Sequence, residues 1–148
     1  MIDTDRWRGR RVAVVAAGSV TGEMGGAERL YAGLRDALAE QGCDVDLISV
    51  PTDESTFDSI LSNYARCREL DVSKYDLVIS TKAPTYAIRH ARHVVYLVHT
   101  VRVFYDMFEK AFPVPTSELL QQRRHIQRIC LRGRPAGQSQ PLRRLRLG

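Results

Sequence analysis

At 148 residues and 16.7 kDa the chain has room for one domain with a genuine core and excludes a self-sufficient two-domain enzyme. With 44% hydrophobic residues, 26% charged residues and a mean hydropathy of −0.26 it is neither fibrous nor wholly disordered, and no apolar run approaches the roughly 18 residues that span a bilayer. The net charge of +5 belongs to the tail: residues 1–122 hold 14 Lys and Arg against 17 Asp and Glu, whereas residues 123–148 hold eight Arg and no acid. A mildly acidic body speaks against a broad phosphate-binding surface on the domain itself.

Arg6, Arg8, Arg10 and Arg11 precede a short apolar run at residues 12–17 and superficially look like a signal peptide. Six apolar residues are too few, and Glu23 and Glu28 follow, so the run reads as a first β-strand. It is too continuous for a half-exposed strand and suits a parallel sheet covered on both faces. The glycine-rich run GSVTGEMGG at residues 18–26 then leads into a helix whose Ala27, Leu30, Tyr31, Leu34 and Leu38 follow the 3,4 spacing, with Gly42 as its stop.

A second strand carries Val45, Leu47, Ile48 and Val50 and is expected to close at Pro51. Phe57, Ile60, Leu61 and Tyr64 lay one apolar stripe on a second helix, with Ser55 and Asp58 as a variant capping box. Residues 76–80 read as a third buried strand, residues 81–84 as a turn with a helical turn near Tyr86, and residues 94–99 as a fourth strand. Strands alternating with helical crossovers predict an α/β fold, a Rossmann-like mostly parallel sheet with helices on both faces. Beyond it, short helices are expected within residues 103–112 and 117–129. Residues 131–148 then turn to Arg, Gly, Pro, Gln, Ser, Leu and one Ala, without acids or aromatics. The expected organisation is an extension at 1–10, a Rossmann-like lobe at 11–128 and an Arg-rich tail at 129–148, disordered or non-native.

Gly22, Gly25 and Gly26 let backbone amides approach a ligand where the first helix begins, and a helix start attracts phosphate. The spacing matches neither GxGxxG nor the phosphate-loop pattern, so anion binding and a tight strand-to-helix turn stay equally open. His99 ends the fourth strand at the edge where open α/β sheets bind ligands, although such a histidine is as readily structural. His90 and His93, flanked by Arg89 and Arg92, read as a solvated turn, and no third ligand supports a metal. Lys82 follows the third strand on the ligand-bearing edge, where an exposed loop lysine is the plainer reading. Arg102, Tyr105 and Asp106 form either a hydrogen-bonding wall beside His99 or a helix-start ion pair. Cys43, Cys67 and Cys130 form no CxxC pair and no disulfide framework, which fits a reducing cytosol. The Arg-rich tail lacks the interleaved aromatics of a single-strand binder, so no specific nucleic acid is expected.

The run GGAERLYAGLRDALAEQGCDVDLISV at residues 25–50 and the stretch YDLVISTKAPTYAIRHARHVVYLVHTVRVFYDMFE at residues 75–109 resemble the acceptor-side lobe of family 4 glycosyltransferases of the GT-B architecture. The likeness covers about residues 10–128. It implies a cytoplasmic enzyme, able to sit peripherally at the inner face of the membrane, that moves a sugar from a nucleotide-sugar donor to an acceptor with no metal and no other cofactor. By position, Gly25 and Gly26 match the turn against the donor diphosphate, and His99 matches the histidine facing the donor sugar. Lys82, Arg102, Tyr105 and Asp106 fall where acceptor contacts usually lie. Family members continue into a second lobe with a basic pair for the diphosphate and a Glu-x7-Glu motif, which residues 1–148 lack. The departure coincides with the composition break near Cys130, so the expectation is a truncated or frameshifted product, inactive without its second lobe. The alternative is a non-catalytic nucleotide- or phosphate-binding α/β module with a basic polyanion-binding tail.

Overall fold

The computed structural model describes residues 4–19, 26–96, 104, 105 and 107–132. Four strands, β1 (Arg11–Ser19), β2 (Asp44–Thr52), β3 (Leu77–Ser80) and β4 (His93–Val95), form one parallel sheet in the order β2-β1-β3-β4. Helices α1 (Gly26–Glu40) and α2 (Phe57–Glu69) are the first two crossovers, and a 3₁₀ turn at Thr85–Ala87 lies between β3 and β4. The short α3 (Phe108–Ala111) and the long α4 (Ser117–Arg132) follow. The fold is therefore Rossmann-like α/β, with helices flanking the sheet.

The alternation of side chains along a strand sends neighbours to opposite faces and so divides the core in two. Val12, Val14 and Ile79 pack with Leu34 and Leu38 of α1. Ala13, Val15 and Val78 pack with Ile60, Tyr64 and Cys67 of α2 and with Ile126 of α4. Residues 12–17 of β1 are all buried, which is why that strand carries no polar side chain between Arg11 and Ser19.

The sequence reading needs local correction. β2 does not stop at Pro51 but runs to Thr52, with Gly18 opposite Pro51 and Ser19 opposite Thr52. The missing N–H of a proline is tolerated there because β2 is an edge strand, with β1 as its one neighbour among the described residues. The cap of α2 is Thr56 rather than Ser55: the Thr56 hydroxyl accepts from the Ser59 N–H at 3.1 Å, while the Ser55 N–H donates to the Asp53 carboxylate. Thr56 wins because it holds the extended backbone of the cap position, φ −133° and ψ 159°, directly before the first helical residue, from which its hydroxyl reaches the third amide of the helix. His93 belongs to β4, one residue before the expected start, and α4 extends past Ile129 to Arg132. The expected strand residues 97–99 lie outside the described residues.

Candidate functional site

The chain places the amino end of α1 and the carboxyl ends of the strands at the same rim. Glu40 ends α1, Gly42 takes a φ of +89°, and the Gly42 carbonyl accepts from the Gly9 N–H at 2.7 Å, beside the amino end of β1. The C-terminus of α1 thus sits at the amino edge of the sheet, and its N-terminus at the carboxyl edge. The strand order reverses direction between β1 and β3, with β2 on one side of β1 and β3 on the other. This switch point is where open α/β sheets leave a crevice.

The floor of that rim is a buried hydroxyl network. Thr81, directly after β3 and fully buried, donates its hydroxyl to the Val15 carbonyl at 2.9 Å and so ties β3 to β1. Its N–H donates to Thr85 Oγ1 at 3.0 Å, and Thr85 Oγ1 donates to the Lys82 carbonyl at 2.7 Å. These bonds hold residues 81–85 together directly after β3. Tyr31 of α1 is 1% exposed, and its hydroxyl completes no hydrogen bond among the described residues. Burial raises its pKa, while the Thr81 side chain beside it pulls the other way. Tyr31 was read from sequence as one apolar position of a helix face. A tyrosine rather than a phenylalanine at a fully buried position was the available sign of a polar seam between α1 and β3.

The expected site residues divide as follows. Gly26 is the first residue of α1. Lys82 follows β3 on the carboxyl edge and is half-buried, its carbonyl receiving both Thr85 donors. Tyr105 is half-buried against the α2 and α4 core, next to buried Phe104 whose ring meets Phe57 edge-on at 6.0 Å. Gly25, His99, Arg102 and Asp106 lie outside the described residues. Asp53, just beyond β2, is engaged locally: it accepts from Ser55, which holds its carboxyl below the usual range, and its backbone is bracketed by the buried Asn63.

His90 and His93 are not a solvated turn. His90 Nε2 lies 2.9 Å from the Tyr75 carbonyl, and its Nδ1 accepts from the Arg92 N–H at 3.0 Å. His93 Nε2 lies 2.7 Å from Ser80 Oγ, because pairing of Val78 with His93 puts Ser80 one pleat further along the same face. Burial chiefly, and then the charge of His90, lowers the His93 pKa from its ordinary 6.5, with the Ile88 carbonyl opposing. Sequence reasoning missed this Ser-His contact because it exists only once the β3–β4 register is known. Ser80 is fully buried, so the pair fastens β4 to β3 rather than presenting a nucleophile.

Among the described residues no group of three His, Cys, Asp or Glu is placed to hold a metal ion, and no helix is long and apolar enough to cross a membrane. No protein-family model, no curated protein and no solved structure matches the chain.

Proposed function

We propose that this chain is the acceptor-side lobe of a nucleotide-sugar-dependent glycosyltransferase, supplying one wall of a two-lobed transfer crevice. The observation that carries the reading is the arrangement of the carboxyl rim. β1 ends at Ser19 and α1 begins at Gly26 beside the β1–β3 switch point, the sequence joining them is glycine-rich, and Lys82 follows β3 on the same edge. Amides at such a helix start offset charge on a departing diphosphate. In the reaction the bond from the anomeric carbon to the phosphate oxygen breaks, the nucleoside diphosphate leaves with the electron pair, and an acceptor hydroxyl forms the new bond as it loses its proton. The resemblance assigns Gly25 and Gly26 to the diphosphate, His99 to the donor sugar, and Lys82, Arg102, Tyr105 and Asp106 to the acceptor. The opposite wall comes from a second Rossmann-like half.

The test is to identify such a half in another reading frame downstream of codon 128, supply it, and measure nucleoside diphosphate release. Transfer or donor hydrolysis is expected, lowered about tenfold or more by Gly26→Val and by His99→Ala. Wild-type rates in both variants, or no second half in any frame, overturn the reading. Retention on a polyanion column that depends on residues 123–148, without sugar-nucleotide chemistry, favours the non-catalytic binding module instead.

A further inference from the structure

Away from the carboxyl rim, α2, the 3₁₀ turn and α4 enclose a cavity of about 470 Å³ with Leu61, Ala65, Ala87 and Ile129 among its lining. Beside it the face of α4 that carries Gln121, Arg124 and Arg128 borders a second hollow of about 510 Å³, which shares His125 and Ile129 with the first. Along this groove stand Arg68, Arg89, Arg124 and Arg128, all exposed, against Glu69 as the one acid among the described lining residues. Arg68 and Arg89 come from residues 1–122, which carry more acids than bases, and Arg124 and Arg128 from the basic residues that follow; together they border a partly apolar trough.

Charge selects among the occupants. Residues 133–148 hold four arginines and no acid, so this chain's own continuation has the wrong sign, as does the same groove of a second copy. A bilayer is a flat surface, whereas the apolar residues here line a concavity bordered by the cations. An amphipathic helix with carboxylates flanking an apolar stripe matches both features. We propose that this groove docks an acidic amphipathic helix of a partner protein, its apolar stripe on Leu61 and Ile129 and its carboxylates toward Arg68, Arg89, Arg124 and Arg128. The proposal does not depend on sugar transfer.

The probe is a fluorescent synthetic helix of roughly 18 residues, leucine at helical spacing and glutamate elsewhere, with a glutamine-for-glutamate counterpart, titrated against the full chain by anisotropy. Binding of the glutamate peptide is expected, weakened about tenfold or more by the glutamine exchange, by Arg68→Glu with Arg124→Glu, and by about 0.5 M NaCl. Arg29→Glu, a charge reversal on exposed α1 beyond the other face of the sheet, is expected to leave the affinity within about twofold. No binding at submillimolar peptide, equal affinity for the two peptides, or unchanged affinity in the folded double variant overturns the proposal. The first two readouts use the unmodified chain and hold even if the double variant misfolds. Sedimentation with phosphatidylserine vesicles that the double variant loses, in the absence of peptide binding, overturns it in favour of a membrane.

Discussion

Gly42 and Gly33 respond in opposite senses to an added methyl group. At Gly42 the φ of +89° is left-handed, and a Cβ would lie 3.2 Å from Arg8 Cγ, so Gly42→Ala is expected to cost about 1–2 kcal/mol. At Gly33, inside α1 and exposed, a Cβ meets nothing within 4 Å, and Gly33→Ala is expected to stabilise by about 0.5–1 kcal/mol. Urea denaturation of the two variants checks both signs. His93 supplies a pH dependence at the same scale. Its folded pKa lies below the ordinary 6.5, so the unfolded chain binds the proton more readily. The stabilisation is complete above 6.5 and is lost as the pH falls from there through the lowered folded value. His93→Gln, which keeps a partner for Ser80 without a titrating ring, is expected to flatten the dependence of the urea midpoint on pH in that window.

Whole elements divide by whether local or non-local information sets them. β1, α1, β2 and α2 were legible because each repeats a period of its own: a continuous apolar run, the 3,4 spacing of Leu34 and Leu38, and the stripe through Ile60 and Tyr64. Their ends were less legible. Whether Pro51 ends a strand depends on whether the strand lies at a sheet edge, and whether Ser55 or Thr56 caps α2 depends on which hydroxyl reaches the orphan amide of Ser59. Thr56→Ala is expected to cost about 1 kcal/mol, read from the thermal or urea midpoint, with Ser55→Ala costing less. Of the candidate site, the glycine run and Lys82 were legible as features that follow strands. The Thr81 to Val15 tie, the buried Tyr31 hydroxyl and the Ser80–His93 contact were not, since each joins segments far apart in the chain.

At the scale of the molecule, the sheet separates two cores that share strands but no side chains. Leu34→Ala on the α1 face and Ile126→Val on the α4 face are therefore expected to be additive within about 0.5 kcal/mol in denaturant unfolding, Ile126→Val alone costing about 0.5–1.5 kcal/mol. Coupling well beyond that would mean that the sheet deforms to pass strain from one face to the other. The open border at β2 has a separate consequence. Asp44, Asp46 and Ser49 are exposed along it, and Pro51 offers no hydrogen to an incoming chain. A nine-residue strand with no second neighbour among the described residues would otherwise be a template for intermolecular pairing; repelling carboxylates and a gap in the donor row make it a poor seed for fibrillar growth.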